Sequence, residues 1–377
     1  MSEALDRRFM AAAIRLGAGA LGTTWPNPAV GAILVKDGRI VGRGRTGRGG
    51  RPHGEAGALA MAGEQARGAT LYVSLEPCAH HGRTPPCADT IAAAGASRVV
   101  APLADPDARV AGEGFERLRA AGIEVETGLL ADAARRANAG HFKRMRETVP
   151  HVVLKLAVSA DDAIGRVGEA GTPVTGATAR RHAQALRSRF DAILVGRGTV
   201  EADDPRLTCR LPGLEDRSPM RVVLDSDGAL DAGRRVFDSA APTWVFGFDG
   251  DARGERRSEG SRGKLREAAA AAEPQPRRVA VARTSDGLDL AAVLKRLGEA
   301  GITRLLVEGG AKVARSFLEA GLVDEVMLFR SPHPLGGDLV PALAGQPLST
   351  IEHSARFRRI DRRRLGDDIL SRYERIR

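Results

Sequence analysis

The feature that most restricts the fold is an alternation kept up along nearly the whole chain. Short runs rich in Val, Ile and Leu (ATLYVSL, SRVVAP, HVVLKLAVS, DAILVG, MRVVLD, TRLLVEGG) are separated by stretches with helical spacing. Apolar runs this short, bounded by Gly and Pro, suit strands buried on both faces, and their alternation with helices builds an α/β fold. At 377 residues the chain is long for one core, so two units are expected. A helical stretch through ADAARRANAGHFKRMRE runs up to Pro150, and the boundary falls there: a first domain over 1–149 and a second over 150–377.

In the first half, an amphipathic helix is expected over 3–21, with Leu5, Phe9, Ala12 and Leu16 near one face. AVGAILVKDGRIVGRGRT reads as two strands joined at Asp37-Gly38, a hairpin dipeptide. Helices are expected at GEAGALAMAG, PPCADTIAAAG and GFERLRAAG, and strands at 69–75, SRVVAP and IEVET. In the second half, helices are expected at ATARRHAQALRSR, LAAVLKRLGEAG and from Ala311 to Ala320. The Arg/Gly/Ser-rich segment around 249–278 reads as a mobile surface excursion.

Composition narrows the function. Hydrophobic residues make up 43%, so there is enough for a core, yet no apolar run reaches the ~18–20 residues of a membrane span. MSEALDRRFM has no apolar stretch behind its charges and does not read as a secretion signal. Three cysteines, an odd number, argue for a reducing compartment over a disulfide framework, and the expected location is cytoplasmic. The net charge of +10 raises a nucleic-acid partner. Its densest clusters, GDARGERRSEGSRGK and RFRRIDRRRLGDD, are not interleaved with the aromatics that stack on single strands. No nucleic-acid and no membrane partner is expected; an anionic small substrate accounts for the charge as well.

Two of the three cysteines stand in EPCAHHGRTPPC (76–87), and HGE (53–55) lies upstream. His53, Cys78 and Cys87 make a three-ligand zinc set, which leaves the fourth tetrahedral position open. Cys209 is far along the chain and a poor fourth ligand, whereas His80 and His81 either add ligands or line a cleft. Zinc lowers the pKa of bound water toward neutrality. Glu55, beside a ligand, suits general acid/base duty, and Cys87 begins a helix whose dipole favours a thiolate. A purely structural zinc site stays open at this point.

The pattern matches the zinc nucleobase deaminase signature, except that eight residues separate the two cysteines. With PNPAVGAILV (26–35), HGE and EPCAHHGRTPPC together, it resembles the pyrimidine deaminase half of the bifunctional riboflavin-biosynthesis deaminase/reductases, which carry the longer spacing. Gly54 replaces that family's usual alanine. The resemblance implies a cytidine-deaminase-like α/β/α domain binding Zn2+, with Asn27 contacting substrate.

The second half lacks a dinucleotide fingerprint of three glycines directly after a strand. It offers VEGGAKVARS (307–316), a strand ending in Gly-Gly before a helix, a place where backbone N–H groups can approach phosphate. In order with LKLAVSADDAIG, TGATARR, LVGRGTVEADDPRLTCR and VVLDS, it resembles the reductase half of the same family. That implies a dihydrofolate-reductase-like α/β domain using NADPH. By this resemblance Ala157, Pro173, Thr199, Asp203, Ser226 and the run Gly310, Ala311, Lys312, Val313, Ala314, Arg315 and Ser316 hold the cofactor. Gly171, Arg187, Leu207, Arg210 and Glu308 contact the phosphoribosyl pyrimidine, the two arginines suiting its phosphate. Asp162 stands where the family has a turn glycine, and Pro173 where many members have Trp. The resemblance covers nearly the whole chain apart from the basic excursion and the C-terminal tail. It implies deamination of 2,5-diamino-6-(5-phosphoribosylamino)pyrimidin-4-one, then reduction of the ribosyl chain to ribityl, in a homo-oligomer (dimer or tetramer). Two rivals make different predictions: an RNA-editing deaminase, with salt-sensitive RNA affinity, and a zinc-stabilised scaffold without turnover.

Overall fold

The computed structural model describes residues 2–81, 85–107, 111–248, 276–285 and 287–376. Two compact units are present: Met1–Pro150 with Gly298–Thr303, and His151–Leu297 with Arg304–Arg377.

The first unit runs α1 (Glu3–Ala18), β1 (Gly31–Lys36), β2 (Arg39–Arg45), α2 (Gly54–Ala62), β3 (Thr70–Val73), α3 (Cys87–Ala93), β4 (Arg98–Ala101), α4 (Glu113–Ala120), β5 (Glu124–Thr127), α5 (Ala131–Ala137) and α6 (Ala139–Glu147). Its sheet has the order β2-β1-β3-β4-β5. Strand β1 is antiparallel to both neighbours, whereas β3, β4 and β5 are parallel. The hairpin turns at Asp37-Gly38, both with positive φ, as a tight two-residue turn requires. On one face α1 packs Phe9, Met10 and Ile14 against Ile33, Tyr72 and Val100. On the other, Leu59, Ile91, Phe115 and Leu118 cover Leu34, Leu71 and Val99. The buried stripe of α1 is therefore rotated from the expected one, and Leu5 is exposed. The single helical stretch expected near 131–147 is interrupted at Asn138 (φ −107°, ψ 24°), although its backbone N–H still donates to the Ala134 carbonyl and its carbonyl accepts the Phe142 N–H; its side-chain oxygen accepts the Ala29 N–H.

The second unit runs β6 (His151–Val158), β7 (Ala163–Arg166), α7 (Ala177–Arg187), β8 (Ala192–Gly196), α8 (Arg197–Asp203), β9 (Met220–Leu224), β10 (Thr243–Phe248), β11 (Arg277–Val281), β12 (Arg283–Thr284), β13 (Gly287–Leu288), α9 (Leu290–Glu299), β14 (Arg304–Val307), α10 (Ala311–Glu319), β15 (Glu325–Arg330), β16 (Leu339–Pro341), α11 (Ser349–Glu352), β17 (Phe357–Leu365) and β18 (Asp368–Arg375). Its main sheet has the order β11-β10-β9-β8-β14-β6-β15-β18-β17. Strands from β11 to β15 are mutually parallel, and β18 and β17 close the sheet antiparallel. Strands β8 and β14 are buried along their whole length, as their unbroken apolar runs required.

Two expectations change here. The basic C-terminal cluster is the edge strand β17, with Arg358, Arg359, Arg362, Arg363 and Arg364 exposed. Charged side chains of one sign on an edge discourage pairing with another sheet, so this basicity has a structural reason. The excursion expected over 249–278 lies outside the described residues up to 275, but Arg277 and Arg278 belong to β11. The Arg277 guanidinium lies 4.4 Å from the centre of the Trp244 ring.

Candidate active sites

In the first unit the ends of β3 and of two helices bring the zinc candidates together. His53 immediately precedes α2, Glu55 is in its first turn, Cys78 follows β3, and Cys87 begins α3. His53 Nδ1 lies 3.3 Å from Cys87 Sγ and 3.7 Å from Cys78 Sγ, and all three ligand atoms lie within 4.8 Å of one another. Tetrahedral zinc with ordinary Zn–N and Zn–S bonds spaces such atoms about 3.5–3.8 Å apart, so the donor set and its spacing fit the metal. The Cys87 backbone N–H donates to Cys78 Sγ at 3.3 Å.

The electrostatics agree with that fit. A hydrogen bond from Cys87 pulls the Cys78 thiol down to about 4, with His53 adding to the effect. The hydrogen bond to Cys78 holds the proton on the Cys87 thiol and, with burial and the nearby negative charges, pushes it strongly up. A divalent cation would favour the thiolate form of both cysteines. Burial raises the Glu55 carboxyl above its usual range, and its Oε2 is buried with no hydrogen-bond partner. Leaving such an atom unmatched costs about 1–3 kcal/mol, a cost a bound ligand or metal-held water removes. Gly54 also finds its reason, because a Cβ there would stand 2.8 Å from the Val30 carbonyl oxygen. Asn27 lies against Gly50, in the turn just before His53. Neither His80 nor His81 belongs to the ligand group among the described residues. Cys209 is in the second unit, its thiol donating to the Gln184 carbonyl at 3.5 Å.

In the second unit a cavity of about 1120 Å³ opens at the carboxyl ends of β8, β9 and β14, where open parallel sheets bind ligands. Gly171, Thr199, Asp203, Ser226, Gly310, Ala311, Lys312, Val313 and Ser316 line it. Asp203 also accepts the Gly171 N–H at 2.9 Å, tying the loop after β7 to α8. Within the 310–316 run, Ala314 is buried in the core and Arg315 pairs with Glu319 at 2.8 Å, so those two side chains turn away. Pro173 is exposed and Ala157 is paired with Phe329 in the sheet; neither lines the cavity.

Glu308, just past β14, is buried and receives a two-pronged contact from Arg187, with Lys155 Nζ 3.9 Å away. Burial pushes the Glu308 carboxyl up, but the two cations outweigh it and hold it at about 2. Arg187 also donates to the Thr208 carbonyl at 3.2 Å, so three of its five N–H groups are engaged within the chain. Leu207 is buried, with φ of +55°, and does not line the cavity. Arg210 is exposed, its backbone N–H held by Gln184 Oε1 at 3.2 Å. Asp162 takes a left-handed conformation, φ +58°, the region that favours glycine, and pairs with Arg330 at 2.6 Å.

Known proteins decide the family. The model of the RibD C-terminal domain matches residues 150–371, and that of the cytidine and deoxycytidylate deaminase zinc-binding region matches 3–103. Over 376 residues the chain is 39% identical to riboflavin biosynthesis protein RibD of Escherichia coli, covering 97% of this chain and 98% of that protein. The chain belongs to the RibD family. RibD of Aquifex aeolicus is 36% identical, with 98% of each protein covered. Among solved structures, a deaminase/reductase from Thermotoga maritima superposes with a TM-score of 0.84 at 33% identity, covering 99% of each chain. RibD of Acinetobacter baumannii gives 0.82 at 34%, again over 99% of each. As in its relatives, a zinc-binding deaminase domain precedes a dihydrofolate-reductase-like reductase domain in this RibD chain. No helix among the described residues is long and apolar enough to cross a membrane.

Sequence reasoning missed several residues of this RibD chain. Glu76, buried, accepts N–H groups of Asp105, Gly112 and Gly114, each at 2.9 Å, and so anchors the β4–α4 connection and the start of α4. Asp105 is bonded to His141 at 3.0 Å. Lys155 interrupts an otherwise apolar strand in HVVLKLAV, a signal that could have singled it out.

Proposed function

We propose that the chain carries out two consecutive steps toward riboflavin. The first unit deaminates 2,5-diamino-6-(5-phosphoribosylamino)pyrimidin-4-one, and the second reduces the ribosyl chain of 5-amino-6-(5-phosphoribosylamino)uracil to ribityl with NADPH. The observation that carries this reading is the His53–Cys78–Cys87 triad, with Glu55 in the first turn of α2 keeping one carboxylate oxygen, Oε2, buried and without a hydrogen-bond partner. The two activities named for the T. maritima relative, similar over its whole length, support it.

Zinc held by the triad would supply the Lewis acidity that makes water a nucleophile near neutral pH. Glu55 holds the proton at Oε2 and delivers it to the departing ammonia. Burial suits it to that duty, because a raised pKa lets a carboxyl keep a proton at working pH. Asn27, beside the turn that bears His53, orients the pyrimidine.

NADPH would supply the hydride for the second step. The N–H groups at the start of α10, with Lys312, offer its phosphates donors and positive charge. Glu308, held ionised, accepts hydrogen bonds from the sugar hydroxyls, while Arg187, through its two remaining N–H groups, and Arg210 meet the substrate phosphate. The same reading makes the protein a homodimer or tetramer in the cytoplasm, where its three free thiols stay reduced.

Glu55→Gln tests the assignment: with zinc still bound, ammonia release should fall by about 100-fold or more. Near-normal deamination by that variant would remove Glu55 from its role.

A further inference from the structure

The second unit holds another cavity, of about 300 Å³, that neither proposed reaction uses. Its walls come from β7, β16 and the turn that follows β16. The two strands pair antiparallel as a ribbon of their own, apart from the main sheet, with Ala163 opposite Pro341. Successive side chains point to opposite faces of a strand, and here that alternation separates two cavities. On β7, Ile164 lines the large cavity and Ala163 the small one; on β16, Val340 lines the large and Leu339 the small. The ribbon is thus a shared wall, with the proposed cofactor site on one face and the small cavity on the other.

Backbone hydrogen bonds fix the shape of the small cavity. The Ala342 N–H donates to the Asp162 carbonyl at 3.0 Å, joining the end of β16 to the turn before β7. The chain then turns tightly: the Gln346 N–H donates to the Leu343 carbonyl at 3.1 Å, with Ala344 and Gly345 both at positive φ. Ala163, Ala342 and Leu348 are the buried part of the lining, and Pro341 and Pro347 are exposed. A mostly apolar lining with a few polar groups is the usual make-up of a small-molecule site, and this volume lies at the lower end of such sites.

The polar groups are of one kind. Asp161, Asp162 and Gln346 line the cavity, and no lysine, arginine or histidine is among the lining residues. A hydrogen bond from Ser159, with the N–H groups of Gly336 and Leu335, holds the Asp161 carboxyl at about 2. Asp162 Oδ1 accepts from Arg330 at 2.6 Å, and no bond among the described residues engages Oδ2. Gln346 Nε2 donates to Glu319 Oε1 at 2.6 Å, and its own Oε1 is likewise unengaged. Acceptors in want of donors, beside carboxylates, suit a donor that carries positive charge. A glycine at 162 would offer no such group.

The geometry points to a binding site for a small organic cation, a single ring or short apolar body bearing an ammonium group, on the face of the β7–β16 ribbon turned away from the large cavity. Asp162 and Gln346 receive the ammonium, and Leu339, Ala342 and Leu348 receive the apolar body.

The test titrates benzylamine into the full-length zinc-loaded protein by calorimetry, beside benzoate and benzyl alcohol. Benzylamine should bind saturably, one per chain, and roughly tenfold or more tighter than benzoate. Saturating NADP+ should leave that titration in place. Asp162→Asn keeps a residue that tolerates positive φ, and should weaken benzylamine roughly tenfold with benzyl alcohol unchanged. Gln346→Ala spares the Arg330 pair and repeats the test should the first variant not fold; it should weaken benzylamine about 3–10-fold. No saturable binding, or benzoate binding as tightly, would overturn the proposal. Displacement by NADP+ would overturn it by assigning benzylamine to the large cavity, and so would unchanged affinity in either folded variant.

Discussion

Arg187 and Glu308 form a fork-on-fork ion pair, Nε to Oε1 at 3.1 Å and Nη2 to Oε2 at 3.0 Å. Arg187 ends α7 and Glu308 follows β14, so the pair joins a helix to the centre of the sheet. Both side chains are largely buried, at 14% and 9% exposure, and Lys155 stands on the same carboxylate. Removing the carboxylate leaves two cations facing each other out of water. Glu308→Gln should therefore lose about 3–5 kcal/mol of stability in urea. Arg187→Ala should also raise KM for the phosphorylated substrate. A loss below about 1 kcal/mol in the glutamine variant would mean the pair is solvated like a surface one.

Acid sensitivity follows from the same carboxylate. Its folded pKa, about 2, lies below the usual 4.5, so its contribution is complete above about pH 5 and is lost as pH falls toward 2. Glu325, held at about 2 by His151, Arg372 and Arg304 against its burial, adds to the effect in the same direction. Urea midpoints should be level above pH 5 and decline below it, less steeply in Glu308→Gln. A midpoint that rises on acidification would contradict the assignment.

The metal centre can be taken apart one ligand at a time. Cys87→Ser should bring zinc from one per chain toward none and abolish ammonia release, because two remaining ligands hold the ion poorly. Reduction of the uracil substrate should persist, since the cavity of the second unit contains none of these residues. Metal analysis beside the two assays separates these effects. Full zinc retention would remove Cys87 from the set.

Gly44 on β2 offers a steric route to the same centre. A Cβ there would stand 2.1 Å from the Gly54 carbonyl oxygen and 2.5 Å from the Ala58 nitrogen, both in α2. Gly44→Ala must push away the helix whose start carries His53 and Glu55. A loss of about 1–3 kcal/mol and a weaker hold on zinc are expected by thermal melting and metal titration. An unchanged zinc affinity would show that α2 moves without disturbing the triad.

What the sequence disclosed, and what it hid, follow from the range of each interaction. His53, Cys78 and Cys87 were legible because a metal demands particular atoms, and those residue types are few in this chain. The strands were legible because β8 and β14 are buried on both faces and keep unbroken apolar runs. The α8 helix and the β17–β18 hairpin were not. RGTVEAD in α8 is mostly polar and too short to show a helical period, and FRRIDRRRL in β17 is polar and held as a strand by pairing with β18. The Arg187–Glu308 pair joins positions 121 residues apart, and no local pattern announces it. Glu76 escaped for a related reason: its partners are backbone N–H groups, which every residue type supplies alike.

The most direct measurement gives the purified zinc protein 2,5-diamino-6-(5-phosphoribosylamino)pyrimidin-4-one, follows ammonia, then adds NADPH and follows its nicotinamide absorbance. Ammonia release followed by stoichiometric NADPH oxidation is the expected result. Absence of ammonia from zinc-loaded protein, or NADPH oxidation that does not depend on the deaminated product, would contradict the two-step function.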